Sequence, residues 1–460
     1  MEKSGPPRTP SFYKPAGHWS ETHLRHLLTP LGHLVHESRT SGLLLVLATI
    51  VTLALANSPV FSDYLALLHR EIGLSFGNSS LHFSLLHLIN DGLMAVLFFV
   101  MGLEIKREFV FGDLSNRRVA LLPVFTAFVG AVVPAAIYWA LTRGGPGSSG
   151  WGIPMATDAA FALGALSLLG KRVPYNLKIF LATVAVVDDV IAIGVIALFY
   201  STGIQWIALL GAAFFVFWLM MGNLWGVRST PYYGLLGLAT WGCFLQSGIH
   251  STIAGVIVAF CIPLRQRMDT GQFLEQAEEL LNQLRTLHQN ADAHLLGDEN
   301  QQVAVLELER ACEGVQAPLH QMHRATHLLA ALGVVPIFAM ANMAVKLQLN
   351  ALNPVAWKVG GGIFFGLFLG KPIGFCLSGV LMKKLGLAEM PASMTMIRLL
   401  GLGFMAGIGF TVSLFMTSLS FNDEGLINSS KLFILIGSCL SAVVGVSLLA
   451  VTSPKTEEAT

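Results

Sequence analysis

Apolar residues in this chain gather into long runs instead of alternating with polar ones at the period of a half-buried strand. The runs extend over about 17 to 25 residues, the length an α-helix needs to cross the hydrocarbon of a bilayer. About twelve such segments are expected, at roughly 41–57, 83–104, 119–142, 151–170, 177–200, 204–222, 231–248, 250–264, 327–345, 357–382, 396–420 and 431–452. The polar stretches between them set the organisation: a tail over 1–40, spans 1–8 over 41–264, a long connection over 265–326, spans 9–12 over 327–452 and a short tail over 453–460. The predicted fold class is an all-α polytopic membrane protein.

The basic residues orient these spans. With the N-terminus in the cytoplasm, the inside loops hold Lys106, Arg107, Arg117, Arg118, Lys171, Arg172, Lys178, Arg228, Arg265, Arg267, Lys383, Lys384 and Arg398. The outside loops then hold only Arg70, Arg143, Lys346, Lys358 and Lys431. Such asymmetry follows the positive-inside rule and puts both termini in the cytoplasm. The connection 265–326 is far longer than a usual helix–helix turn. Its apolar residues in Phe273–Leu284 and Val303–Arg310 recur at helical spacing, which predicts a cytoplasmic helical hairpin, either regulatory or a plain solvated appendage. In the first outside loop, 70–83, Ile72, Leu74 and Phe76 alternate up to Gly77-Asn78, and Leu81 and Phe83 follow. That pattern predicts a short β-hairpin. Because an isolated hairpin is marginal in water, this loop is a candidate contact for a second copy of the chain.

Composition agrees with the pattern and excludes several functions. The chain is 54% hydrophobic and 12% charged, against a charged fraction of about 25% in soluble domains. A net charge of +1 gives no electrostatic basis for nucleic-acid binding. Cys243, Cys261, Cys312, Cys376 and Cys439 are too far apart to form a disulfide framework or a paired metal motif. The segment Met1–His36 has no apolar core and reads as a cytosolic tail, not a signal peptide.

Against this background a few ionisable residues are out of place. A charge at mid-bilayer costs at least a few kcal/mol and marks a functional site by default. Asp188 and Asp189 lie near the middle of one run, in Ala185-Val-Val-Asp-Asp-Val-Ile. Adjacent helix positions differ by about 100°, so one carboxylate can face a cavity while the other meets a different helix. Asp158 follows Pro154 in Trp151-Gly-Ile-Pro-Met-Ala-Thr-Asp, a stretch expected to unwind near Thr157-Asp158. A second Gly-rich stretch, Gly401-Leu-Gly-Phe-Met-Ala-Gly-Ile-Gly-Phe-Thr-Val-Ser, occurs late in the chain. Paired interrupted segments of this kind point to inverted-topology repeats with a site between them. Lys371, in Gly370-Lys-Pro-Ile-Gly, is too deep to snorkel and needs a carboxylate partner, Asp188 or Asp158. Its role is open between a structural pairing and a proton carrier.

These residues together resemble the NhaA family of bacterial Na⁺/H⁺ antiporters. The resemblance is carried by Leu88-Ile-Asn-Asp-Gly-Leu-Met-Ala-Val, Gly102-Leu-Glu-Ile-Lys-Arg-Glu and Ala156-Thr-Asp-Ala-Ala-Phe-Ala-Leu-Gly. Val187-Asp-Asp, Ser247-Gly-Ile-His-Ser-Thr-Ile-Ala-Gly, Gly370-Lys-Pro-Ile-Gly and Gly407-Ile-Gly-Phe-Thr-Val-Ser continue it in order to about residue 452. The family fold implies inverted repeats with two broken, crossing helices, here spans 4 and 11. The resemblance further implies exchange of cytoplasmic Na⁺, with Li⁺ as a second cargo, for external H⁺ across a bacterial inner membrane. No cofactor and no enzymatic chemistry are implied, and Na⁺, H⁺ and the lipid bilayer are the partners. Asp189 would be the most direct Na⁺ ligand with Asp188 beside it, Lys371 the partner of Asp188, and Asp158 and Thr157 the support where helices break. Glu104 and His250 match positions tied to pH response. Glu104 also reads as an ordinary interfacial charge beside Lys106 and Arg107, and His250 as a satisfied polar residue. Asp91, nearer the outer end of its span, reads as structural.

The chain departs from the family in the long connection 265–326 and at the start of span 9. His323-Arg324-Ala-Thr-His327-Leu328 lacks the usual acid and His-Pro pair, and Met343-Ala344 follows Ala341-Asn342 where Ala-Gly is usual. These differences fall on the pH-response pattern, not on the acids. An intramembrane aspartyl protease would need acids on two helices and a Gly-x-Gly-Asp motif, which is absent. A Na⁺-coupled symporter with related repeats would differ in requiring an organic solute for Na⁺ movement. A channel would need a pore loop or a charged ring.

Overall fold

The computed structural model describes residues 38–76, 79–201, 203–264, 268–289, 299–315, 317–345, 354–386 and 394–452. Most of residues 1–40, the turn expected at Gly77-Asn78, the loop cations Arg265, Arg267 and Lys346, and the tail 453–460 lie outside the described residues. In chain order the elements are α1 (Ser38–Ala56), α2 (Phe61–Leu68), β1 (Glu71–Phe76), β2 (Ser79–Ser84), α3 (Leu85–Phe111), α4 (Arg117–Thr142), a 3₁₀ segment (Ser148–Met155), α5 (Ala159–Ser167), α6 (Tyr175–Phe199), α7 (Trp206–Leu224), α8 (Thr230–Ser247) and α9 (Thr252–Cys261). There follow α10 (Thr270–Gln289), α11 (Glu299–Val315), α12 (Pro318–Asn342), α13 (Pro354–Leu385), α14 (Met396–Ala406), α15 (Phe410–Ser420) and α16 (Glu424–Thr452). The chain is an all-α polytopic membrane protein whose strands β1 and β2 pair antiparallel, Glu71 opposite Ser84 and Phe76 opposite Ser79.

Among the described residues, seven helices are long and apolar enough to cross a bilayer, and up to nine if each of two bent pairs is one span. Helix length thus does not by itself give the expected twelve. The reasons are local: the 18 residues of α8 include Pro231, Tyr232, Tyr233 and Gln246 and are too polar on average, α9 has 10 residues, roughly 15 Å of rise, and the fourth apolar run splits into the 3₁₀ segment and the nine-residue α5. The ninth helix of the apolar pattern also begins earlier than expected, at Pro318 instead of 327, because a polar, Pro-started first turn precedes its apolar body. Within the connection, α10 and α11 are helical and pack against each other.

A continuous core joins α3, α4, α5, α6, α12, α13 and α14 to α16. α7 lies at the side, with Ile207, Leu210 and Phe214 exposed, an apolar surface suited to lipid rather than water. α4 and α13 approach through glycine: a Cβ on Gly374 would sit 2.8 Å from the Cα of Gly130. Among the described residues three helices carry a π-helical turn, at Ile89–Leu93, Ala330–Val334 and Gly366–Gly370. Such turns recur at functional sites because the extra residue re-aims the side chains that follow. The last of them ends immediately before Lys371.

Candidate functional site

The site forms where two interrupted helices meet. After the 3₁₀ segment, residues 156–158 are extended, and α5 begins with Asp158 as its N-cap. Similarly α14 stops at Ala406, a non-helical stretch follows, and α15 starts at Phe410 at an angle of 51°. The two breaks touch through backbone: the Asp158 amide donates to the Ile408 carbonyl at 2.6 Å. Ser413 Oγ donates to the Ile153 carbonyl at 2.8 Å. A Cβ on Gly409 would lie 3.0 Å from the Ala156 carbonyl oxygen and closer still to Ser413 Oγ, so this approach favours glycine.

Asp158 satisfies both new helix starts. Its Oδ1 accepts from the Phe161 amide at 3.1 Å, within α5. Its Oδ2 accepts from the Thr411 amide at 3.1 Å and the Thr411 hydroxyl at 2.6 Å, at the start of α15. A carboxylate there meets the positive ends of two helix dipoles and two sets of otherwise unpaired amides. Thr411 is a site residue that pattern reading passes over. Its signal is its position just after the Gly-rich break, which mirrors Thr157 just before Asp158.

Asp188 and Asp189 project from α6, which is unbroken. Asp188 Oδ2 accepts from Lys371 Nζ at 2.5 Å and lies 2.6 Å from Thr157 Oγ1. Thr157 Oγ1 is also 2.8 Å from the Ala406 carbonyl, one of the free carbonyls ending α14. A hydroxyl has one proton, so Thr157 donates to one of these acceptors at a time. Asp188 Oδ1 is buried with no hydrogen-bond partner among the described residues. Asp189 differs: it makes no hydrogen bond or ion pair among the described residues, yet it is 7% exposed. Asp188 is its neighbour in α6, and Lys371 is bonded to Asp188. Lys371 is 0% exposed, Asp188 2%, Asp158 3% and Thr157 1%. The structure thus brings Asp158, Thr157, Asp188, Asp189 and Lys371 to one place.

Glu104 and His250 lie elsewhere. Glu104 stands near the end of α3, 3.5 Å from Arg107 and partly exposed. His250 sits between α8 and α9, edge-on to Phe415 of α15 with ring centroids 5.5 Å apart. The charges of Asp91 and His87 act on His250, and His87 Nε2 is 3.0 Å from Asp91 Oδ2. Asp91 falls in the π-helical turn of α3, beside Asn90, whose Oδ1 accepts from Asn342 of α12 at 2.7 Å.

The family model described as Na⁺/H⁺ antiporter 1 matches residues 32–449. The chain belongs to the NhaA family of Na⁺/H⁺ antiporters. Among curated members of the family, the Na(+)/H(+) antiporter NhaA 1 of Saccharophagus degradans is 38% identical over 95% of this chain and 94% of its own length. The Na(+)/H(+) antiporter NhaA of Oleidesulfovibrio alaskensis is 41% identical over 92% of this chain and 94% of its own length. That of Christiangramia forsetii is 41% identical over 90% and 92% respectively. The match spans both helix breaks and the acids of α6, and with the seven apolar helices it makes the chain a multi-pass membrane member of the NhaA family.

Proposed function

We propose that the protein is a secondary active antiporter that exchanges cytoplasmic Na⁺, and Li⁺ as a second cargo, for external H⁺, through competition for Asp189 and Asp188. The observation that carries this reading is the inequality of the two acids. Lys371 neutralises Asp188, whereas Asp189 is buried beside it with no partner among the described residues. An ionised carboxylate left alone in a low-dielectric interior costs several kcal/mol. Asp189 therefore needs a counter-charge, and a proton or a cation supplies it. One excludes the other, because either neutralises the same oxygens.

Sodium is a hard cation that suits carboxylate and carbonyl oxygens. Asp189, the free Oδ1 of Asp188 and carbonyls near the helix breaks are a donor set of that kind. Asp158 has the supporting role of holding the two breaks together, and Thr157 that of positioning Asp188. Protons arriving from outside displace Na⁺ outward, and Na⁺ from inside displaces protons, as the site is exposed to each face in turn. In this reading the protein lies in a bacterial inner membrane with both termini cytoplasmic, serves sodium and pH homeostasis, and needs no cofactor. Glu104 and His250 tune the pH response at the two ends of the path, and the β1–β2 hairpin is the contact for a homodimer.

Asp189→Asn is expected to abolish Na⁺-induced dequenching of a pH-sensitive dye in everted vesicles, with protein still present in the membrane at wild-type level. Retained ΔpH-driven Na⁺ movement in that variant would remove Asp189 from the mechanism.

A further inference from the structure

A second polar constellation lies away from the acids. A cavity of about 670 Å³ opens between α2, the end of α12, the α15–α16 turn and the start of α16. Under the orientation proposed above it faces outward. Its apolar wall includes Phe61, Leu65 and Leu432. Its polar lining includes Lys431, His69, Asn422 and Asn428.

Lys431 is the notable member. It is half-buried on the second turn of α16 and makes no hydrogen bond or ion pair with any described residue. The other cations drawn inward behave differently. Lys371 pairs with Asp188, and Lys106 donates to the carbonyls of Phe260 and Ile262 that end α9. A cation partly withdrawn from water without a partner is a standing cost that an anion would remove. The Asn422 and Asn428 amides have no other hydrogen bond among the described residues, so their N–H groups are free to add to the Lys431 ammonium. Glu424 also lines the cavity, exposed at its rim, and disfavours a polyanion.

We infer that this cavity binds an amphiphilic monoanion, its carboxylate or phosphodiester head on Lys431 and its apolar part against Phe61, Leu65 and Leu432. An anionic lipid and a soluble organic acid share that chemistry. The test uses the full-length protein purified in neutral detergent and follows thermal unfolding during titration with hexanoate and, separately, with phosphatidylglycerol. A saturable rise in melting temperature is expected with at least one of them. Saturation by phosphatidylglycerol alone assigns a lipid, and saturation by hexanoate alone a soluble acid. Lys431→Met, which relieves the unpaired charge and so should still fold, is expected to weaken the effect at least tenfold, whereas Lys431→Arg keeps it. Hexyltrimethylammonium, of opposite charge, should give no saturable shift. The inference is overturned if neither anion saturates, or if Lys431→Met responds as the parent does.

Discussion

Within the site each charged residue has a different neutraliser, and this determines what its loss does. Asp188 has Lys371, Asp158 has amides and a hydroxyl from two helix starts, and Asp189 has neither. Removing Lys371 leaves a buried carboxylate unpaired. Lys371→Met should therefore destabilise by about 3–5 kcal/mol, read as a lower melting temperature in detergent. Adding Asp188→Asn should recover most of that loss. A single variant as stable as the parent would mean that the pair contributes nothing. Thr411→Val removes a hydroxyl donated to a carboxylate at 2.6 Å, a loss of about 1.5–3 kcal/mol. An unchanged melting temperature would contradict the role given to Thr411. The acids and Lys371 stand out in the sequence because a charge deep in an apolar run is costly unless it is paired or functional. Thr411 does not, since a hydroxyl in an apolar helix usually bonds its own preceding turn, as Thr49, Thr52, Thr183 and Thr240 do here.

At the level of elements, the site depends on helices that stop and on others that come very close. The first break was readable from Pro154, which removes a backbone donor, and the second from its glycines. What the sequence did not carry is that the breaks meet, with Thr157 of one against Ala406 of the other, 249 positions apart. Such proximity comes from packing, not from local propensity. The π-helical turns were equally hidden, because one extra residue in a turn leaves no mark on an apolar run. α13 must lie against α4 for Lys371 to reach Asp188, and Gly374 against Gly130 is one of the close points of that contact, beside Gly370 against Pro134. Gly374→Val should cost about 1–3 kcal/mol by overpacking and slow exchange in everted vesicles. Gly361→Val, on the same helix with open space around it, is the control and should do neither. Equal effects of the two would show that helix propensity, not the contact, is responsible.

On the scale of the whole molecule, bilayer thickness made the fold class legible before any residue was placed. It sets the length of a span and forbids unpaired backbone in lipid, so apolar runs of that length leave few alternatives. The number of spans was less legible, because a broken run and the short α9 look in sequence like ordinary spans. The long connection was legible as helical from its spacing, though where α12 begins was not. The organisation that results is a scaffold with a candidate site at its helix breaks, and the proposed function gives that site two competing ligands. Competition has a quantitative signature. If each Na⁺ bound displaces one proton, its apparent affinity falls about tenfold per unit of pH on the acidic side, by linkage. If two are displaced, the slope is about twice as steep. The decisive measurement is isothermal titration of Na⁺ into the purified protein over a series of pH values, with Asp189→Asn alongside. Competition at Asp189 predicts affinity that weakens steadily on acidification and heat of binding that vanishes in the variant. Na⁺ affinity independent of pH, or full binding by Asp189→Asn, would contradict it.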